Sequence, residues 1–314
     1  MKQPVRIALI LFIGVFAMSS AAIFIRYAQA DGIPSLVIAA YRLGIATLAL
    51  SIPAIRRRAW QDYAKLSWKE GGLLITSGLL LGLHFATWIT SLEYTSVASS
   101  VVLVTTTPLW IGLLSPLLLG ERTSRLTWVG MLLAMVGGSI IGLSDWTGGE
   151  AGTLTGNGLA LSGAFLVAGY LMIGRSVREK LRLIPYLWVV YGTAAALLIT
   201  WAAVQRLPFT GFPLQTYGWL VALGLIPQLI GHSAANYAVR YISATLVGVT
   251  SLGEPIGSTI LAMLLLDERP SPIQIIGGAL ILGGIALASV TEESRKPRNT
   301  QADPPVIPSN HTAS

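Results

Sequence analysis

A carboxylate stands beside a proline in the stretch TSLGEPIGST, residues 250–259, within an otherwise apolar run. Pro255 has no backbone N–H and would leave the carbonyl of Ser251 without its helical partner, so the sequence predicts a break or kink here. An ionisable side chain in an apolar segment generally faces the interior of a helix bundle or a wet cavity. We therefore expect Glu254 to mark a polar site at a helix break. The alternative is a glutamate that is neutralised by a partner and only fixes packing.

Arg42 and two histidines are the other chemically capable side chains inside apolar runs. The guanidinium of Arg42 presents a fork of N–H donors that can hold a carboxylate by two hydrogen bonds. It can also simply pair with Glu254 or with carbonyls at a helix end, and the sequence leaves both readings open. His84 and His232 titrate near neutral pH, which suits a proton relay, although a lone buried histidine is often only a hydrogen-bonded packing residue. Neither histidine has a second ligand three or four residues away, so no metal site is predicted.

Four further residues are assigned to this candidate site because of their positions relative to the histidines and prolines. Trp88, Asn236 and Tyr237 lie about one helical turn from the histidines and would share their helix faces. Thr107 precedes Pro108 as Glu254 precedes Pro255, which predicts a second helix break at Pro108. The alternative for each aromatic residue is a place at a membrane interface or against lipid.

The composition indicates which elements must position these residues. Hydrophobic residues make up 53% of the 314 residues and charged residues 11%, well below the quarter or so of a soluble domain. A transmembrane helix needs about 20 mostly apolar residues, and at this length only helices satisfy their own backbone polar groups in lipid. The sequence therefore predicts an all-α polytopic membrane protein with ten transmembrane helices, at 7–27, 34–55, 70–92, 95–118, 125–144, 153–174, 184–204, 216–239, 243–265 and 272–290.

The basic residues are distributed unevenly between the connecting loops. With a cytoplasmic N-terminus, 17 Lys and Arg fall on the inside and three on the outside, while Arg42 lies within a span. This asymmetry predicts that both termini are cytoplasmic, and it explains the net charge of +7 without a nucleic-acid partner. The start of the chain also imitates a cleavable signal peptide, but its apolar run from 7 to 25 is longer than a usual signal core.

The sequence repeats itself at an offset of 147 residues. Residues 94–137 align without a gap with 241–284, and 14 of the 44 positions are identical. Shared hydrophobicity explains matching leucines, but not the pairs Tyr94/Tyr241, Pro108/Pro255, Glu121/Glu268, Arg122/Arg269, Gly130/Gly277 and Gly137/Gly284. A unit of about five helices flips its second copy in the membrane, so the sequence predicts two inverted five-helix repeats. Such repeats are typical of secondary transporters with a site near the bilayer midplane.

The chain resembles the EamA-like branch of the drug/metabolite transporter superfamily. The resemblance rests on Arg42, on Pro108 with Gly120-Glu121-Arg122, and on GHSAANYAVRYISATLVGVTSLGEPIGSTILAMLLLDERP from 231 to 270. It implies two EamA-like five-helix repeats, at 5–144 and 152–291, in a bacterial inner membrane. Relatives are described as exporters of amino acids, other metabolites or drugs, so the resemblance is nearly silent on cargo. The first copy has Thr107 where the second has Glu254, so only one half supplies the glutamate.

Together these observations predict a secondary transporter that rocks one half against the other. The expected cargo is a small amphipathic metabolite such as an amino acid, which the protein exports. The protein is expected to act in the bilayer as a monomer or homodimer without a cofactor, and a proton is the candidate coupling ion. Glu254, His84 and His232 are the candidate coupling residues. The expected binding residues are Arg42, His84, Trp88, Thr107, His232, Asn236, Tyr237 and Glu254. The polar residues 292–314 are expected to form a disordered cytoplasmic tail.

Two other classes of protein fit the sequence less well. A membrane scaffold or receptor would keep the polar interior for structural reasons and move no solute. An intramembrane enzyme would need a catalytic constellation, but no serine–histidine, paired-aspartate or HExxH arrangement occurs in any apolar run. No Walker sequence GxxxxGK[ST] is present either, which argues against ATP-driven pumping by this chain.

Overall fold

The computed structural model describes residues 3–95, 97–120, 123–144, 154–265 and 272–293, and every regular element among them is a helix. The α-helices are α1 (Gln3–Ser19), α2 (Ala21–Ala30), α3 (Ser35–Arg56), α4 (Trp60–Tyr63), α5 (Trp68–Tyr94), α6 (Val97–Val104), α7 (Thr107–Leu118), α8 (Arg125–Ser144), α9 (Leu154–Val177), α10 (Leu183–Val204), α11 (Leu214–Leu223), α12 (Ser233–Ala238), α13 (Ala244–Ser251), α14 (Glu254–Leu265) and α15 (Pro272–Glu293). A π-helical segment, Gly224–His232, joins α11 to α12.

Several helical stretches are long and apolar enough to cross a membrane. Among the described residues there are six, at Gln3–Ala30, Ser35–Arg56, Trp68–Tyr94, Leu154–Val177, Leu183–Val204 and Leu214–Ala238. Large apolar side chains such as Phe12, Leu48 and Leu117 point away from the protein and are more than two thirds exposed, at 71%, 71% and 81%. These features indicate an all-helical, multi-pass membrane protein.

The other predicted spans, at 95–118, 125–144, 243–265 and 272–290, are also helical where the structure describes them. Two of these four are divided into shorter helices, α6 with α7 and α13 with α14. The repeat pairs at Glu121-Arg122 and Glu268-Arg269 lie outside the described residues. Of the expected tail, residues 292 and 293 complete α15, and residues 294–314 lie outside the description.

Two irregularities were not predicted from the sequence. The first span is divided at Ser20, whose hydroxyl donates to the carbonyl of Ala17 at 2.7 Å. The eighth contains the nine-residue π-helical segment around Pro227. A proline removes one backbone donor and crowds the preceding turn, and a widened π-turn is one way for a helix to accommodate it.

Both breaks at the repeated prolines satisfy their backbone locally. Pro108 cannot donate to the carbonyl of Val104, and the hydroxyl of Thr107 donates to it instead at 2.8 Å. In the second break, Thr250 and Ser251 donate to Val247 and Gly248, each at 2.7 Å. At Pro108 a side-chain hydroxyl therefore replaces the missing backbone donor, and before Pro255 two hydroxyls donate to carbonyls of α13.

Polar contacts outside the long helices tie α4 to the start of α10. The carboxylate of buried Asp62 accepts from Arg182 at 2.7 Å and from Lys65 at 3.3 Å. Burial alone would raise the pKa of Asp62, but the hydrogen bonds from Arg182 and Lys65 outweigh it and hold that pKa below its usual range. The hydroxyl of Tyr63 donates to the carbonyl of Pro185 at 3.1 Å. The loop after α3 is thereby fixed against α10, beside which α3 packs.

Helices α8 and α15 pack along each other with glycines at their contacts. A Cβ atom on Gly130 would lie 2.5 Å from the carbonyl oxygen of Gly284, and one on Gly137 would collide with that of Gly277. Because the contacting residues in α15 have falling residue numbers as those in α8 rise, the two helices are antiparallel. Small residues allow such close backbone approach between helices in membranes.

Alanine at Gly137 is expected to destabilise the protein, whereas alanine at the adjacent Gly138 is not. A methyl group on Gly137 would collide with the backbone of α15, and one on Gly138 would meet no atom within 4 Å. Overpacking of this kind costs about 1–3 kcal/mol. The measurement is the thermal unfolding midpoint of the two variants in detergent, and equal midpoints would contradict the packing described for α8 and α15.

Candidate functional site

A cavity of about 60 Å³ lies where the broken helices meet α1, α3, α5, α9 and the π-helical segment. This volume has room for a few water molecules. Six of the expected binding residues line it, namely Arg42, His84, Trp88, Thr107, His232 and Glu254. The remaining lining residues are Leu11, Met18, Ala21, Val104, Thr105, Val167, Leu171, Ala235, Val247, Thr250 and Ser251. The lining thus combines eight apolar side chains with nine that carry a polar group, and polar groups that converge in an apolar surrounding are usual in small-molecule sites.

Arg42 projects from α3 and is almost completely buried, with 1% of its surface exposed. Its Nε donates to Oε1 of Gln228 at 2.9 Å, and its guanidinium carbon lies 4.1 Å from the centroid of the Phe85 ring. Within the described residues, Arg42 and Glu254 form no ion pair within 4.0 Å, so the simple pairing that the sequence left open is not observed. The cation is held by an amide oxygen and an aromatic face instead.

Phe85 packs at the centre of the site, and it was not among the binding residues expected from the sequence. Its buried ring lies under Arg42, and the ring of His232 meets it edge-on at 5.2 Å between centroids. The ring of Trp88, one turn further along α5, lies 6.3 Å away. Phe85 thus joins α3, α5 and the π-helical segment at one point.

Gln228 is the other residue that sequence reasoning missed. It is fully buried and lies in the π-helical segment directly after Pro227. A polar side chain next to a proline in an apolar run is the pattern that indicated Glu254. Applied to the eighth span, the same pattern would have found Gln228.

The two histidines lie close together, with 6.4 Å between their ring centroids. Nδ1 of His84 is 2.9 Å from the carbonyl oxygen of Gly163 in α9, and since a carbonyl can only accept, Nδ1 carries the proton. The ring of His84 also stacks on Trp88, with centroids 5.9 Å apart and planes 12° apart. His84 therefore joins α5 to α9 as well as facing the cavity.

Glu254 is the first residue of α14, directly after the break that follows α13. Thr107 has the same place at the start of α7, so both breaks present their first helical residue to the cavity. The N-terminus of a helix carries partial positive charge, which favours a carboxylate at this position. The two broken segments also meet, because a Cβ on Gly248 of α13 would lie 3.4 Å from the Cα of Pro108.

Asn236 and Tyr237 do not line the cavity. The amide nitrogen of Asn236 donates to the hydroxyl of Tyr170 and to the carbonyl of His232, the latter at 2.6 Å. The ring of Tyr237 packs against Tyr241, with 5.0 Å between centroids, and under the guanidinium of Arg6 at 5.7 Å. The structure brings the other expected binding residues together but places these two outside the cavity.

No cluster of three His, Cys, Asp or Glu side chains suited to a metal ion occurs within the part of the chain that the structure describes.

Comparison with known proteins gives a family and a fold. The sequence profile of the EamA-like transporter family matches residues 5–143 and again 154–290. A solved crystal structure with 21% sequence identity superimposes with a TM-score of 0.74, covering 92% of this chain and 99% of that one. At this identity the likeness concerns the fold alone.

Three curated relatives have sequences similar to this chain. An uncharacterized transporter of Synechocystis sp. is 26% identical over 69% of this chain, and the match spans 66% of that protein. A probable terminal-alkyne amino-acid exporter of Streptantibioticus cattleyicolor is 26% identical over 78% of this chain and 81% of its own length. The pseudopaline exporter CntI of Pseudomonas aeruginosa is 25% identical over 83% of this chain and 88% of its own length.

Replacement of Phe85 by leucine is expected to destabilise the folded protein. A buried guanidinium loses its aromatic face, which is worth about 2 kcal/mol when the pair is desolvated. The matched control is Phe12→Leu, because the side chain of Phe12 is 71% exposed. Thermal unfolding in detergent should give a lower midpoint for Phe85→Leu alone, and a midpoint like that of wild type would show that Arg42 does not depend on this ring.

Proposed function

Since the chain belongs to the EamA-like transporter family, we propose that it is a secondary transporter with ten spans in two inverted five-helix repeats, 5–144 and 152–291. It moves a small amphipathic metabolite, such as an amino acid, out of the cell across the inner membrane. The observation that carries this proposal is the polar cavity at the point where two proline-broken helices meet. Interrupted helices are where secondary transporters place their substrate sites.

The glycine contacts between α8 and α15 support the inverted repeat. At the offset of 147 residues, Gly130 corresponds to Gly277 and Gly137 to Gly284. The contact of Gly130 with Gly284 therefore becomes the contact of Gly277 with Gly137 when the halves are exchanged, and both contacts occur. A pair of contacts that exchange in this way is what a two-fold axis between the two helices would produce.

The wider packing follows the same exchange. Helix α5, of the third span, packs along α9, of the sixth, and the π-helical segment of the eighth span packs along α1 of the first. Helices α3 and α10, of the second and seventh spans, pack against each other. A cavity lined from both halves is what alternating access requires, because each half must be able to expose the same site.

The cavity and the names of two relatives support the proposed cargo, and the cavity supplies candidates for the coupling residues. Two relatives are named as exporters, one of a terminal-alkyne amino acid and one of pseudopaline. A lining that combines apolar side chains with one arginine, one glutamate and several other polar groups suits a small amphipathic solute. Glu254 is the carboxylate that could exchange a proton as the site changes sides, with His84 and His232 as further candidates for the relay. The chain acts as a monomer or homodimer.

Cysteine labelling tests the inverted topology directly. The chain contains no cysteine, so a single introduced thiol reports without background. Gln61 and Thr210 are exposed and lie in equivalent loops of the two halves, after the second and seventh spans. In intact cells a membrane-impermeant maleimide should label Thr210→Cys and not Gln61→Cys, which should react only after permeabilisation. Labelling of both from one side would contradict the inverted repeat and the cytoplasmic termini.

Counterflow in proteoliposomes tests transport and the role of Glu254. The panel contains amino acids, organic acids and cationic drugs, with a pH dye inside the vesicles. Glu254→Gln should lower proton-coupled flux at least about tenfold, because a glutamine amide cannot take up and release a proton as a carboxylate can. The control is Glu93→Gln, which changes an exposed glutamate in the same way.

Three outcomes of the counterflow assay separate the alternatives. Normal flux with unchanged pH dependence in Glu254→Gln would contradict the coupling role. Flux without a proton signal in either protein would make the chain a facilitator. Folded protein that moves no member of the panel would favour a scaffold or receptor with a structural polar core.

A further inference from the structure

The cavity is surrounded by N–H donors that lack an acceptor. Within the described residues, Nη1 of Arg42, Nε1 of Trp88 and Nε2 of Gln228 are buried without any hydrogen-bond partner. Two of these side chains line the cavity, and the third holds Arg42. The guanidinium carbon of Arg42 lies 5.8 Å from the centroid of the Trp88 ring, so these two donor side chains are neighbours in the site. Buried donors without acceptors are uncommon in folded proteins, which indicates that a ligand supplies the acceptor.

The cavity offers acceptors as well as these donors. The hydroxyl hydrogens of Thr107, Thr250 and Ser251 are already donated to backbone carbonyls of their own segments. A hydroxyl whose hydrogen is engaged can only accept from a ligand. Glu254 adds a carboxylate, so donors and acceptors face the same cavity.

Arg42 and Glu254 face one cavity without forming an ion pair between them. Two opposite charges held apart in a buried site are both satisfied by a ligand that carries both charges. A guanidinium and an indole N–H suit the two oxygens of a carboxylate, and a carboxylate with hydroxyl oxygens suits an ammonium group. Eight apolar side chains, of which Leu11, Val104 and Val247 are examples, line the cavity beside the polar groups and the two histidines.

We propose that the cavity selects a small zwitterion with an aliphatic side chain, bound in one orientation. Its carboxylate accepts from Nη1 of Arg42 and Nε1 of Trp88, and its ammonium group donates to Glu254. Gln228 is a positioning residue: its Oε1 fixes Nε of Arg42 over Phe85, which leaves Nη1 directed to the ligand. This inference rests on the proposed function, since it names the chemical class that the transport site takes.

Three probes that share the leucine side chain test the carboxylate and the ammonium group of the ligand separately. L-leucine carries both charges, L-leucinamide carries only the ammonium group, and 4-methylpentanoate carries only the carboxylate. Binding to the purified full chain in detergent is measured by competition with radiolabelled L-leucine. Each single-charge probe should bind at least about tenfold more weakly than L-leucine, because each lacks one set of charge-assisted hydrogen bonds.

Trp88→Phe and Trp110→Phe form a matched pair of variants. Both indole nitrogens are buried without a partner, but Trp110 does not line the cavity. Trp88→Phe should raise the Kd of L-leucine and of 4-methylpentanoate by about tenfold and leave that of L-leucinamide unchanged. Trp110→Phe should leave all three unchanged. Equal effects of the two variants would overturn the role assigned to the Trp88 N–H.

Gln228→Leu tests the positioning role, because loss of that role should weaken some of the three probes and not others. It should weaken both carboxylate-bearing probes by about tenfold and spare L-leucinamide. A merely structural defect would weaken all three probes together, and that result would overturn the assignment.

The outcome for wild type separates this inference from the proposed function. Counterflow of a cationic drug together with no binding of L-leucine would overturn the zwitterion proposal and leave transport standing. Equal affinity for all three probes would also overturn it. Selective L-leucine binding without flux of any solute would support the zwitterion site and contradict transport.

Discussion

The buried guanidinium of Arg42 joins three helical segments at the centre of this protein. Arg42 extends from α3, lies on the ring of Phe85 from α5, and donates to Gln228 in the π-helical segment. A charge in this position is costly to bury unless several partners compensate it. Three separate segments must therefore keep their mutual positions for Arg42 to remain compensated. The cavity owes its shape to this requirement, because its walls include the same segments.

The breaks at Pro108 and Pro255 raise a second problem, because a helix interruption in an apolar surrounding leaves backbone carbonyls without donors. The hydroxyls of Thr107, Thr250 and Ser251 donate to three such carbonyls, those of Val104, Val247 and Gly248. The residues that repair the breaks also line the cavity. One local arrangement thus both stabilises the interruption and fixes the polarity of the site. It also explains why threonine and serine surround the prolines in both copies.

Much of the site could be predicted because its residues are of a type that is unusual for their surroundings in the sequence. Glu254, Arg42 and the histidines stand out as polar groups in apolar runs, and their cost in lipid predicts an inward position. Phe85 is not unusual in this way, since an aromatic residue in a membrane helix is ordinary. Asn236 shares a helix face with His232, but its amide donates to Tyr170 and to the carbonyl of His232 and does not face the cavity. Which neighbouring group takes up a polar side chain is information that periodicity does not contain.

The antiparallel packing of α8 and α15 has a mechanical meaning. Their backbones touch at Gly130 with Gly284 and at Gly137 with Gly277, and neither helix contributes a residue to the cavity. At these two glycine contacts no long side chain separates the backbones, so no side chain there can re-pack to absorb a displacement. Separation or sliding at this seam would lose its close packing outright. The seam is therefore suited to act as a pivot that lies outside the cavity itself.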